Sequence, residues 1–133
     1  TDYIAHRTSD KVKISTHVPD SLPPVRLNVA LFEWVIENLC KNAVDAMGGV
    51  GVLVISVQET SRYWCIDVAD TGKGIDKRYF ETVFAPGYTT KKRGWGLGLS
   101  LARRIVVEYH SGSIFVKQSE INKGTIFRIE LKK

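Results

Sequence analysis

The sequence predicts an α+β fold, a two-layer sandwich in which one mixed, mainly antiparallel sheet packs against about three helices. Two long stretches repeat apolar residues at the three- and four-residue steps of a buried helix face. Five shorter stretches, rich in Val, Ile and aromatic residues, have the composition of strands. Strand-like stretches segregated from a few helix-like ones imply one sheet under one helical layer. The 133 residues are expected to form one domain, 1–133, because that length suits one core and is too short for two.

A first strand is predicted over residues 11–18, followed by a two-proline turn over 21–24. Phe32, Val35, Leu39, Ala43 and Ala46 then mark the inner face of a helix over residues 28–47, which Gly48 and Gly49 stop. Residues 51–57 and 62–70 read as the two strands of a hairpin, and a short helix is expected around residues 77–83. Residues 97–109 give the second strong helix, with Leu101, Ala102, Ile105 and Tyr109 inward and Arg104 paired to Glu108 at i,i+4. Strands over 113–118 and 125–131 close the domain.

Composition narrows the function. Hydrophobic residues make up 44% and charged residues 25%, which excludes disordered and fibrous classes. Nineteen Lys and Arg against fourteen Asp and Glu leave a charge of +5, so a polyanionic partner has to be considered. Lys91, Lys92 and Arg93 stand directly before a glycine-rich segment, a setting that suits a polyphosphate as well as a nucleic-acid backbone; a solvated charged face is the plainer alternative. Cys40 and Cys65 lie among apolar neighbours without metal-type spacing and read as reduced core residues. Reduced cysteines imply a reducing compartment, so the domain is expected in the cytoplasm. No apolar run approaches the roughly 18 residues of a membrane span, so any membrane segment is expected outside these residues, with no membrane contact by this domain.

Three constellations carry chemistry. On the first long helix Asn38, Asn42 and Asp45 fall at i, i+4 and i+7, a stripe beside the apolar face that should line the rim of a pocket. A carboxamide oxygen is a hard neutral ligand for Mg²⁺ held mainly by phosphates and water. Surface polar residues would give the same letters, although two Asn inside a helix are poor helix formers. In the strand ending at Asp70, the period of two puts Trp64, Ile66, Val68 and Asp70 on one face, so the carboxylate points to the apolar side. A buried carboxylate needs donors. An adenine amino group is one, and Thr71-Gly72-Lys73-Gly74-Ile75 is a turn where a flat ligand can reach backbone; an Asp capping its own turn fits the same residues. Thr125 shares parity with Phe127, Ile129 and Leu131, so its hydroxyl also faces inward. Finally, Arg93-Gly94-Trp95-Gly96-Leu97-Gly98-Leu99 leads into a helix N-terminus, where free N–H groups suit phosphate, although no strand of a βαβ unit precedes it.

These motifs, in this order, resemble those of the catalytic and ATP-binding domain of sensor histidine kinases. Glu37-Asn38-Leu39-Cys40-Lys41-Asn42-Ala43-Val44-Asp45-Ala46 resembles their Asn box, Asp70-Thr71-Gly72-Lys73-Gly74-Ile75 their first glycine box, and Phe80 with Phe84 their Phe box. Gly94-Trp95-Gly96-Leu97-Gly98-Leu99 is similar to the second glycine box and Gly124-Thr125 to the late Gly-Thr pair, so the resemblance covers nearly the whole chain. The segment Phe84 to Lys91 is closest in style to nitrogen-regulator-type kinases.

The resemblance implies the Bergerat ATP-binding fold shared with gyrase-type and chaperone ATPases. It implies ATP and Mg²⁺ as cofactors and transfer of the γ-phosphoryl group to a histidine on a separate dimerisation domain, expected outside these residues. That histidine-bearing domain, in a homodimer, and a response regulator would be the partners. Asp70 would bind the adenine amino group, Asn42 would ligate Mg²⁺, and Asn38 would support phosphates or metal. Gly94, Gly96 and Gly98 would approach the phosphates through backbone, and Lys91 or Arg93 would meet the γ-phosphate. Asp45, Gly72, Gly74, Ile75, Tyr88, Thr89, Thr90, Leu97, Leu99 and Thr125 would complete the nucleotide site, under a lid over residues 76–93 hinged at Gly87.

Two departures bear on function. Trp95 replaces the small residue usual between the first two glycines of the second box, removing a side-chain phosphate contact. Asn38 stands where gyrase-like relatives place the Glu that activates water, which argues against a simple ATP hydrolase, and Glu37 is rotated about 100° round the helix from it. A gyrase- or chaperone-like ATPase is the first alternative. A nucleic-acid-binding module is the second; it requires aromatics interleaved with basic residues on an exposed face, whereas Trp64 and Phe127 fall at inward parity. Of the histidines, His6 reads as a terminal residue, His17 as a strand residue and His110 as a helix-end residue favourable to the dipole.

Overall fold

The computed structural model describes residues 12–17, 28–87 and 98–133. The strands are β1 Val12–His17, β2 Gly51–Glu59, β3 Tyr63–Asp70, β4 Ser113–Glu120 and β5 Gly124–Lys132. They form one five-stranded sheet in the order β1-β2-β3-β5-β4. β1 runs parallel to β2 and the other pairings are antiparallel, so the sheet is mixed as expected. Helix α1, Val29–Ala46, and helix α2, Gly98–Arg104, cover one face of it. Val35 and Leu39 of α1 and Val106 after α2 are buried with Leu53, Val68, Ile114 and Ile129 of the sheet in one apolar core. This is the predicted α+β two-layer sandwich.

Local chemistry explains the limits of α1. The Asn28 side chain accepts the Leu31 N–H at 3.1 Å and so caps the helix start. At its end the Gly49 N–H bonds the Val44 carbonyl and the Gly48 N–H the Asp45 carbonyl, a pattern that needs a left-handed residue, which Gly48 supplies at φ +65°. The two glycines stop the helix for the reason the sequence suggests.

Three expectations need correction. Residues 77–83 are two 3₁₀ turns, Lys77–Tyr79 and Thr82–Phe84, and not one α-helix. The buried residues there, Val83 and Phe84, are adjacent rather than a turn apart, and Asp76 caps only the first turn through the Arg78 N–H at 3.1 Å. In the second helix, Leu101 is 38% and Tyr109 64% exposed, where both were expected inward. After Arg104 the chain widens into a π-helical turn over Ile105–Tyr109, which adds a residue to the turn and moves the inward positions to Val106 and His110. Ala102 and Ile105 are buried and the Arg104–Glu108 ion pair forms at 3.6 Å, as expected. The third correction concerns His110. Its Nε2 accepts the Asn28 N–H and its Nδ1 lies 3.0 Å from the Ile105 carbonyl, so it acts as a neutral ring joining the ends of two helices, not as a cation at a dipole.

Residues 11, 18 and 21–24, assigned to the first strand and its turn, lie outside the described residues. Among the described residues no helix is long and apolar enough to cross a membrane.

Candidate functional site

Asp70 ends β3 on the helix-facing side of the sheet and is only 7% exposed. One carboxylate oxygen accepts the Gly72 N–H at 2.8 Å, and the N–H of Thr125, its register partner on β5, bonds the same carboxylate. Burial pushes the Asp70 carboxyl above the ordinary value, and the two N–H groups pull it partly back. Asp70 therefore does cap its own turn. Two N–H groups still leave part of a carboxylate's acceptor capacity unused in a desolvated place.

The glycines after Asp70 serve the protein's own packing. A Cβ on Gly72 would stand 2.6 Å from the Ala46 carbonyl oxygen, which also accepts the Lys73 N–H at 2.9 Å, so the turn lies directly on the end of α1. Gly74, at φ +78°, presses on the Glu120 backbone, and the Asn122 N–H bonds the Lys73 carbonyl at 2.7 Å. Gly74→Ala is accordingly expected to cost roughly 1–3 kcal/mol in backbone strain alone. Thermal melting followed by circular dichroism checks this; a melting point equal to that of the unaltered protein would remove the packing role.

Ile75 is half-buried against the core, and its N–H bonds Ser119 Oγ at 2.7 Å. That hydroxyl also donates to the Gly124 carbonyl at 3.0 Å and lies 2.8 Å from Thr125 Oγ1. The Thr125 hydroxyl is inward as its parity requires, but it meets Ser119 while the backbone N–H of Thr125 serves Asp70.

On α1, Asn38 and Asn42 are half-buried and Asp45 is exposed. The stripe is beside the apolar face, as its spacing requires. A Cβ on Gly98 would stand 2.8 Å from Asn38 Oδ1 and 2.9 Å from Nδ2, so the missing side chain lets the Asn38 amide lie against the start of α2. Leu99 is half-buried on the core beside it. Asn38 Nδ2 is buried with no hydrogen-bond partner among the described residues, as is Glu37 Oε1. Cys40, one turn further, has its thiol pushed up to about 11, by burial first and then by Glu37.

Tyr88, Thr89, Thr90, Lys91, Arg93, Gly94, Trp95, Gly96 and Leu97 lie outside the described residues. Of the 76–93 segment only residues 76–87 are described, with Gly87 at φ +85°. No group of three His, Cys, Asp or Glu side chains able to hold a metal occurs among the described residues.

Sequence reasoning missed two features. Ser119 is the first: strict alternation along β4 from Val116 would turn Gln118 inward, but a bulge between Val116 and Gln118 shifts the parity and pairs Ser119 with Thr125. The second is on the opposite sheet face, where Asp67 is 7% exposed and takes a two-point bond from Arg128 at 2.7 and 2.9 Å, with Lys117 at 3.6 Å. Burial opposes the Asp67 charge, yet Arg128 and Lys117 hold its carboxyl below the usual range. The like parity of Asp67 and Cys65 on β3 and Arg128 on β5 was the available signal. Trp64 and Phe127 are buried, as their inward parity predicts.

The family described as histidine kinase-, DNA gyrase B- and HSP90-like ATPase matches residues 28–133. The sensor histidine kinase ZraS of Escherichia coli (strain K12) is 35% identical over 123 residues, which are 92% of this chain and 26% of that protein. Among solved structures, the nucleotide-free catalytic domain of histidine kinase ThkA superposes with a TM-score of 0.81 at 27% identity, over 99% of this chain and 85% of that one. ThkA in complex with the response regulator TrrA matches with a TM-score of 0.77 at 26% identity, over 92% of this chain and 34% of that one.

Proposed function

The chain belongs to the histidine kinase-, DNA gyrase B- and HSP90-like ATPase family, as a catalytic domain of the sensor histidine kinase kind, and from that premise we propose what its pocket does. It binds Mg²⁺-ATP and presents the γ-phosphoryl group to a histidine on a separate helical dimerisation domain. The chain spans about a quarter of the length of ZraS, so the activity of a whole kinase, with its homodimer and its response regulator, is part of the proposal.

The observation that carries the reading is Asp70. A carboxylate that is 7% exposed, raised in pKa by burial and already holding the N–H groups of Gly72 and Thr125 is positioned to take one more donor, the amino group of adenine. The Nδ2 of Asn38 beside Gly98, without a hydrogen-bond partner among the described residues, fits a phosphate oxygen in the same way. Ile75, Leu99 and Thr125 would border the base, with Gly72 and Gly74 shaping the turn. Gly94, Gly96 and Gly98 are assigned to the phosphates, Tyr88, Thr89, Thr90 and Leu97 to the lid side, and Lys91 or Arg93 to the γ-phosphate, on the strength of the box order alone.

Asn42 would hold Mg²⁺, with Asp45 or Asn38 as its neighbours on the stripe. The ion, when bound, neutralises charge on the phosphates. A carboxamide is a fitting donor because the remaining positions fall to phosphate and water. Catalysis would then rest on positioning and charge stabilisation, with no covalent step on this domain.

Calorimetry with a non-hydrolysable ATP analogue, with and without Mg²⁺, tests the reading. The Asn42→Ala variant is expected to lose the Mg²⁺ dependence of binding while ADP without metal still binds weakly. Wild-type metal dependence in that variant would transfer the ligand role to Asn38 or Asp45.

A further inference from the structure

Ser119 sits where the first glycine turn and the Gly124-Thr125 pair meet, and its hydrogen bonds determine more than packing. A hydroxyl has one proton and two lone pairs. The Ser119 proton goes to the Gly124 carbonyl at 3.0 Å, and one lone pair takes the Ile75 N–H at 2.7 Å. Thr125 Oγ1 lies 2.8 Å away, so the remaining lone pair of Ser119 is filled by the Thr125 proton. Thr125 is thereby held as a donor to Ser119 and has only lone pairs to offer elsewhere.

Thr125 faces Asp70 across the β3–β5 register, and both side chains point to the helix side of the sheet. The backbone N–H of Thr125 is spent on the Asp70 carboxylate. Asp70 above its raised pKa and Thr125 with its proton committed form a pair that only accepts. A base edge carrying an amino group suits such a pair; one carrying a carbonyl meets lone pair against lone pair.

We infer that Ser119 is a positioning residue that fixes the acceptor polarity of the Asp70–Thr125 pair and so sets the preference of the pocket for a 6-amino over a 6-keto purine nucleotide. The inference rests on the ATP reading above. Asp70 supplies the acceptor; Ser119 prevents Thr125 from turning into a donor that would rescue the keto base.

The test measures the affinities of ATP and ITP for the 133-residue chain, unaltered and as Ser119→Ala, Ser119→Thr and Thr125→Val. The unaltered chain is expected to favour ATP. Ser119→Ala frees the Thr125 proton and is expected to narrow the ATP-to-ITP ratio about fivefold, the worth of one neutral hydrogen bond. Ser119→Thr keeps the hydroxyl and should restore the ratio. Thr125→Val removes the acceptor outright and should narrow the ratio too, so the inference stays testable if Ser119→Ala folds poorly. A purely structural role would weaken both nucleotides by the same factor, and an unchanged ratio in Ser119→Ala or in Thr125→Val overturns the inference while leaving ATP binding intact. Failure of the unaltered chain to bind either nucleotide overturns the ATP reading and the inference with it.

Discussion

Asp70→Asn is expected to weaken binding of a non-hydrolysable ATP analogue by roughly 10- to 150-fold, the equivalent of about 1.5–3 kcal/mol for a hydrogen bond to a charged group. The charge is the point of the substitution. An Asn keeps one oxygen for the Gly72 N–H at 2.8 Å, so the turn survives, but it brings an amide donor toward the donor edge of the base. Asp70→Ala is a poorer test, because it strips partners from the N–H groups of both Gly72 and Thr125, each about 1–3 kcal/mol when left buried and unpaired.

The pH dependence follows from the direction of the shift. Burial raises the Asp70 pKa above 3.8, so near that range the folded chain holds the proton more readily than the unfolded chain. This residue therefore adds stability as pH falls through the raised pKa and takes it away as pH rises. Asp67 has the opposite sign: its carboxyl is held below 3.8, and its contribution is present above 3.8 and lost as pH falls through the lowered value. Asp70→Asn should thus lose the Asp70 contribution to the pH dependence of stability. Affinity for ATP should fall as acid protonates Asp70, and that titration should be missing from the variant. Unchanged affinity in Asp70→Asn would sink the adenine assignment.

Much of this was legible in the sequence because the elements that hold the site obey strict periods. The α1 stripe put Asn38 and Asn42 beside the buried Val35, Leu39 and Ala43, and the alternation on β3 turned Asp70 inward with Trp64 and Val68, as the structure has them. Legibility failed where a period broke. One extra residue at the β4 bulge reversed the parity that hides Ser119, and one extra residue in the π turn after Arg104 exposed Tyr109 and drew in His110. A turn that depends on tertiary closeness was also beyond reach. Nothing local in Gly72 or Gly74 says that the end of α1 and the Glu120 backbone rest on them.

The 133-residue chain alone is expected to bind ATP but to take up almost no label from γ-labelled ATP, and to hydrolyse it slowly. Transfer needs an acceptor nitrogen held in line with the γ-phosphate, and such proximity is worth roughly 7–11 kcal/mol in well-oriented cases. The two described histidines do not offer it. His110 has its Nε2 lone pair on the Asn28 N–H and its Nδ1 at the Ile105 carbonyl, so neither nitrogen is open to attack phosphorus. His17 ends β1 on the sheet edge, 3.4 Å from the Ser15 hydroxyl, and His6 lies outside the described residues. Water is the remaining nucleophile. Asn38, which by the resemblance stands where gyrase-like relatives place a Glu, is a carboxamide with no basic site to activate it, and Glu37 next to it has one oxygen buried about 100° further round α1. Adding a histidine-bearing dimerisation domain is therefore expected to produce labelling in the acid-labile form of phosphohistidine. Stoichiometric labelling of this chain by itself would overturn that division of labour and make His6, His17 and His110 the residues to replace first.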